Sequence, residues 1–207
     1  MAEPLPYLLA VLVAYLLGSI PSGYVVARLR GNVDILKRGS GRTGATNVLR
    51  TVGWRAAAPV FVGDFAKGVV AIVAARLLAG GDPAADLLAG MAALLGHNYS
   101  VFIRFKGGRG VTTGLGTLAV IAPAAMAIGA AVGIATIAVT RYVSLGSILG
   151  ACCMPFILLA LVLLIGQPQP HLLYAVIGSA FVVASHRDNI GRLIRGTERR
   201  LGEKASS

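Results

Sequence analysis

Residues 111–139, VTTGLGTLAVIAPAAMAIGAAVGIATIAV, carry Ala122-Pro123 near their middle, and the reading of that dipeptide decides how the chain is threaded. About 20 apolar residues suffice to cross a bilayer, so one straight helix would be too long. Proline cannot donate a helical hydrogen bond, and the residue before it avoids the helical region. The stretch therefore reads as two helices meeting at a turn. Five further apolar segments cover residues 5–27, 56–79, 84–95, 143–165 and 172–184.

The split matters because of charge. With six spans, the basic loop of residues 28–55 would lie across the membrane from the basic tail after His186. With seven, that loop has seven Lys or Arg, residues 97–113 three, residues 140–143 one and the tail six, so 17 of 19 share one side. The opposite connections, residues 80–83 and 166–171 and the Pro123 turn, carry none. By the positive-inside rule the cation-rich side is cytoplasmic. The expected fold is all-α: a polytopic integral membrane protein with seven transmembrane helices, N-terminus outside and C-terminus cytoplasmic. Residues 1–207 read as a single domain, since no linker or repeat marks a second.

Composition agrees. Hydrophobic residues make up 56%, charged residues 13%, and the mean hydropathy is +0.78, outside the range of soluble domains. The net charge of +11 is confined largely to short loops beside apolar segments, which fits anionic lipid headgroups and speaks against nucleic acid. Residues before the first apolar run include Glu3 and no Lys or Arg, so that run reads as a retained span and not a cleaved leader. Cys152 and Cys153 are adjacent in an apolar run and are expected to be small buried hydrophobes.

Three polar islands interrupt the apolar chain, and the seven-span path puts them on one face. In the first, GSGRTGATNVLR (residues 39–50), Gly39, Gly41 and Gly44 allow consecutive amides to form an anion-binding nest. Ser40, Thr43, Thr46 and Asn47 add donors, and Arg50 can grip a phosphate in two places. A glycine-rich turn ending in a helix cap fits the same residues. The second, GHNYSVFIRFKGGRGVTTG (residues 96–114), sets Lys106, Gly107, Gly108, Arg109 and Gly110 before a helix start, where exposed amides favour an anion. His97 is either a base or a satisfied interfacial residue. In the third, HRDNIGRLIRGTE (residues 186–198), His186 and Asn189 share a helix face and Glu198 follows among arginines. That pattern suits the orientation of a substrate hydroxyl, and equally an amphipathic tail on anionic lipid. Asp64 and Lys67 stand three apart within a span and are expected to neutralise one another; Ser144 and Ser147 open the sixth span as caps or contacts.

No H-x-x-x-x-D is present, since His97 is followed at that spacing by Phe102 and His186 by Gly191. The eight acidic residues are scattered, so no divalent metal is expected. On residues alone, a small-anion or phosphate-ester transporter is the alternative to an enzyme. Against it, the far-side loops offer no cation to receive an anion.

Taken together, the three islands, with GDFAKG at residues 63–68 and YVSLGSI at residues 142–148, resemble the signature segments of the bacterial acyl-phosphate:glycerol-3-phosphate acyltransferases, the PlsY family. The resemblance runs along nearly the whole chain. It implies a multi-pass enzyme of the bacterial inner membrane, with its active site on the cytoplasmic side. The implied reaction moves an acyl group from acyl phosphate to the sn-1 hydroxyl of glycerol 3-phosphate, giving lysophosphatidate and phosphate, the first step of phospholipid synthesis. By the resemblance, Ser40, Arg50, Lys106, the island-two glycines, His186 and Asn189 are functional and Glu198 is supporting. Arg42 stands where many relatives have Asn, and Arg109 where many have Lys. No cofactor is implied, and a monomer suffices because one chain supplies all three islands.

Overall fold

The computed structural model describes residues 3–203; Lys204, counted above among the tail cations, lies outside them. The described residues form ten α-helices and no strand. In order these are α1 (Pro4–Ser19), α2 (Ser22–Gly31), α3 (Ala45–Thr51), α4 (Trp54–Leu78), α5 (Pro83–Asn98), α6 (Val111–Ile121), α7 (Pro123–Thr140), α8 (Val143–Ile165), α9 (Gln169–Ser185) and α10 (Arg187–Ile194). Four helical stretches are long and apolar enough to cross a bilayer: α1 continued by α2, α4, α7 and α8. The apolar α6 and α9 are shorter. At 1.5 Å per residue, the 11 residues of α6 reach about 16 Å, roughly half of the hydrocarbon core.

Prolines punctuate the chain. The turn expected at Ala122-Pro123 is there, with Ala122 at φ −153° and ψ 80° and Pro123 opening α7. A second break was not expected: the stretch of residues 5–27 is interrupted at Ile20-Pro21. Ile20 takes ψ 115°, as a residue before proline prefers, and α2 starts afresh at Ser22. The carbonyl of Ile20 accepts from Lys67 Nζ at 2.9 Å. The same Nζ lies 2.9 Å from Asp64 Oδ1, so this buried ion pair also fastens the break.

Small residues let the helices approach closely. A Cβ on Gly18 would overlap the carbonyl of Ala93, and one on Gly96 the carbonyl of Tyr15, so α1 and α5 meet backbone to backbone. Gly68 and Gly116 join α4 to α6 in the same way, and Gly133 and Gly146 join α7 to α8. The core is rich in alanine (Ala10, Ala14, Ala71, Ala89, Ala93), whereas Leu8, Leu12, Leu163 and Leu164 point outward, as lipid-facing residues do. Cys152 is exposed and Cys153 half-buried, which corrects the expectation that both are buried. Apolar character does not imply burial in a protein whose solvent on that side is hydrocarbon.

A polar staple ties the ends of four helices at the far end of the bundle from the islands. Arg76 of α4 donates to both oxygens of Asp86 on α5 at 2.8–3.2 Å, and His171 Nε2 of α9 lies 3.2 Å from Asp86 Oδ2. Gln167 Nε2 contacts His171 Nδ1 at 2.8 Å and donates to Ile121 O, the last carbonyl of α6, at 2.9 Å.

Because the α1–α5 contact has no room for a methyl group, Gly96→Ala should destabilise the fold by about 1–3 kcal/mol. Thermal unfolding in detergent checks this; an unchanged midpoint contradicts the packing argument.

Candidate functional site

The first island is wound around one side chain. Buried Asn47, on the first turn of α3, donates from Nδ2 to the carbonyls of Ile35, Arg38 and Arg42 at 3.4, 3.1 and 2.8 Å. Its Oδ1 accepts from the Ser40 amide at 3.0 Å. Gly39 (φ 63°) is pressed so closely on this amide that a Cβ would overlap Oδ1, and the Gly41 amide donates to Arg38 O at 3.0 Å. Gly41, expected as a phosphate contact, is thus committed to holding the loop, and Asn47, expected as another, lines a cavity while its amide holds the loop. The same loop turns Ser40, Arg42, Thr46 and Arg50 toward that cavity.

The second island reverses direction at Arg104 and Phe105, both left-handed (φ 56° and 57°), and Ser100 bridges to Lys106. This turn leaves Lys106 exposed and outside the cavity, which corrects its expected place. Arg109 lines the cavity in its stead. Gly107 and Gly108 lie on the end of α5, where a Cβ would overlap His97 O or His97 Nε2. Gly108 and Gly110, with Val111 and Thr112 of the first turn of α6, line the cavity, and so a helix N-terminus faces it. His97, left open by the sequence, is buried beneath these glycines and lines the inner wall of the cavity. Its Nδ1 is 3.1 Å from Thr113 Oγ1 and 3.6 Å from Asp64 Oδ1.

The third island turns on Glu198. One carboxylate oxygen accepts from Ser144 Oγ at 2.8 Å and Asn189 Nδ2 at 2.7 Å, and the other from Arg192 Nε at 2.7 Å. Burial alone would raise this acid, but the three donors outweigh it and hold Glu198 below the usual carboxylate range. With Nδ2 so engaged, Asn189 Oδ1 is buried without a partner. His186 ends α9, its Nδ1 2.8 Å from the carbonyl of Val182, so Nδ1 carries the proton and Nε2 holds the lone pair. Burial, with Arg109 and Arg42 nearby, lowers His186 to about 4 despite the Val182 contact, and the ring is neutral at pH 7.

Cross-links show that the islands converge as expected. Thr43 N donates to Gly107 O at 3.4 Å, Arg50 Nη2 to Arg199 O at 3.1 Å, and Asn98 Nδ2 to Ser185 Oγ at 2.8 Å. Between them lies a cavity of about 430 Å³ with two contrasting ends. Its polar head is lined by Ser40, Arg42, Arg50, Arg109, His186 and Asn189. Its apolar arm runs between α6, α7, α8 and α9, past Leu118, Gly129, Gly150 and Met154. A smaller polar recess of about 90 Å³, beside the head, is bounded by Ser40, Arg50, Arg109, Arg192, Glu198 and Arg199. Arg50 Nε and Arg109 Nε are buried there without partners. Burial lowers both guanidinium groups, Arg109 to about 10 with Arg42 contributing, yet both remain cationic at neutral pH. Asp64 reaches the cavity, whereas Lys67 turns away to Ile20.

An amphipathic cavity with a cationic head suits a substrate carrying both phosphate and hydrocarbon, and the comparisons agree. The model of the family described as glycerol-3-phosphate acyltransferase matches residues 8–196. The chain belongs to this family. It is 44% identical to glycerol-3-phosphate acyltransferase 3 of Dehalococcoides mccartyi, with 96% of this chain and 97% of that one covered. It is 47% identical to the glycerol-3-phosphate acyltransferase of a Synechococcus species, over 95% and 94% of the two chains. Crystal structures of PlsY, an integral membrane glycerol 3-phosphate acyltransferase, in glycerol 3-phosphate and lysophosphatidic acid forms superpose with TM-scores of 0.86 and 0.85 at 39% identity. These cover 95% of this chain and 96% and 95% of those chains. A multi-pass membrane acyltransferase is therefore what the apolar helices and the islands build. Within it, Arg42, Arg192 and Arg199 border the cavities although residue type alone did not single them out. Only the partner each one faces separates them from the other basic residues.

Glu198→Ala in this acyltransferase should lose about 2–3 kcal/mol of stability. That is less than the 3–5 of a fully buried pair, because the Arg192 side chain is 34% exposed. Ser144→Ala should lose about 1.5 kcal/mol, the low end for a hydrogen bond to a charged group. Thermal unfolding of both variants in one detergent tests the ranking.

Proposed function

We propose that this glycerol-3-phosphate acyltransferase takes its acyl group from an acyl phosphate and delivers it to the sn-1 hydroxyl of glycerol 3-phosphate. The observation that carries this reading is the set of three buried, unpartnered polar atoms, Arg50 Nε, Arg109 Nε and Asn189 Oδ1, around one cavity. Two are cationic donors suited to phosphate, and one is an acceptor suited to a hydroxyl. Buried polar groups are nearly always satisfied, so such a group beside a cavity points to a ligand.

The roles follow. Arg50 and Arg109, with Arg199 and Ser40 at the recess, bind the phosphate of glycerol 3-phosphate. The amides from Arg109 to Thr112 face the phosphate of the acyl donor and the oxyanion that develops on its carbonyl, while the Gly108 amide is held by the carbonyl of His97 at 3.1 Å. The acyl chain lies in the apolar arm, because moving it into water forfeits about 0.8 kcal/mol per methylene. His186 Nε2 accepts from the sn-1 hydroxyl of the bound acceptor and Asn189 Oδ1 from its neighbouring hydroxyl, which together aim the sn-1 oxygen at the acyl carbon. The new ester C–O bond forms as the C–O bond to phosphate breaks. The products are lysophosphatidate and inorganic phosphate.

The hydroxyl proton has two possible acceptors. A phosphate monoester has its second pKa near 6. His186, held at about 4, is the weaker base. The departing phosphate therefore takes the proton, and His186 positions the hydroxyl as a neutral acceptor. Relatives in this family and the 17 cations gathered by the seven-span path support a bacterial inner membrane location with the site facing the cytoplasm. One chain supplies every group named, which fits a working monomer and no cofactor.

Purified protein with acyl phosphate and glycerol 3-phosphate should yield lysophosphatidate; no product from active preparations refutes the donor assignment. Arg50→Ala should raise the KM for glycerol 3-phosphate, with a loss of about 2–5 kcal/mol. For proton transfer the pH profile decides. A base of pKa about 4 is protonated, and lost, only as pH falls through 4. An acid limb between pH 5 and 7 should thus persist, at lower kcat, in His186→Gln. Its disappearance would make His186 the base.

A further inference from the structure

The apolar arm of the cavity has a floor. On α8 it is lined from Ser144, which bonds Glu198 at the polar head, down to Met154. On α7 it is lined from Ile137 to Met126. Both intervals are ten or eleven residues, about 15–16 Å along the helix axes. Below that level the packing closes: Ile121, Ala122, Ala125 and Leu158 are buried core residues. Met154 is 5% exposed, and its Cε lies where a Cβ on Gly129 would sit, so its side chain crosses from α8 to α7 at the bottom of the arm. Above the floor the walls are kept thin by Gly129, Gly133, Gly146 and Gly150.

Taking the acyl donor in this arm as proposed above, we infer that Met126 and Met154 determine which acyl-chain lengths the enzyme uses. The arm is as deep as one leaflet, half of a hydrocarbon core about 30 Å thick, so a chain that fits it has the length of an ordinary membrane acyl tail. Methionine is unbranched and yields readily, so the floor imposes a graded limit. A longer chain must displace a thioether wedged against Gly129, whereas a shorter one leaves the lower arm unfilled.

The test is a competition among saturated acyl phosphates that differ by two carbons, with glycerol 3-phosphate as acceptor and the products read by mass spectrometry. Shortening the floor in Met154→Ala should shift the profile to longer chains. Relative kcat/KM for a chain two carbons beyond the wild-type optimum should rise about tenfold or more, the usual weight of a methylene in an apolar pocket. Ala130→Leu, which fills the arm one turn above Met126, should shift the profile to shorter chains. Wild-type protein that transfers no acyl group from any donor would instead refute the acyl-phosphate reading itself. If wild type is active and both variants keep its profile, the inference is overturned. The chain end would then leave sideways past Phe61 and Ile134, which line the cavity and are exposed on its lipid side.

Discussion

The site depends on an imbalance of charge. Arg42, Arg50, Arg109, Arg192 and Arg199 border the two neighbouring recesses, and among the described residues Glu198 is the one acidic side chain that lines the smaller of them. Glu198, held by Arg192, Asn189 and Ser144, offsets part of the field felt by Arg50 and Arg109, but the cations outnumber it. Cations held half-buried at the edge of a hydrocarbon layer repel one another and lack water, which is why Arg50 and Arg109 fall below their usual range. An anion seated between them would relieve both difficulties. The polar islands need the apolar bundle to keep water away, and the bundle needs the islands to give it a polar mouth.

Rigid support comes from two levels of packing. At the polar end, the Lys67–Asp64 pair closes the Ile20-Pro21 break and brings Asp64 near His97, beneath the glycine strand of the second island. At the other end, the Arg76–Asp86–His171–Gln167 cluster fixes the termini of α4, α5, α6 and α9. Between them, glycine contacts set the helix spacing. The short helices are held from both sides, so their length is compatible with a well-defined cavity.

Much of this was legible in the sequence. The Ala122-Pro123 turn, the convergence of the islands and the pairing of Asp64 with Lys67 follow from proline chemistry, charge placement and the expense of buried ions. What was not legible is the direction in which side chains face across turns. Lys106 and Arg109 both flank island-two glycines, and left-handed backbone at Arg104 and Phe105 sends one outward while the other lines the cavity. Asn47 is a good anion donor by type, yet the loop that would present it consumes its amide. The Ile20-Pro21 break is masked in the sequence because apolar residues continue on both sides of it. Cys152 shows the same limit for hydropathy, which separates greasy from polar but not lipid-facing from core.

The contacts of the third island also have a temporal side. Among the described residues, Asn189, Glu198 and Arg199 follow the last apolar helix, and their partners Ser144 and Arg50 lie far earlier in the chain. During synthesis the hydrocarbon-facing helices can therefore insert before the polar mouth is assembled. Until residues 186–199 fold back, a nascent chain lacks the contacts from Glu198 to Ser144 and from Arg199 to Arg50.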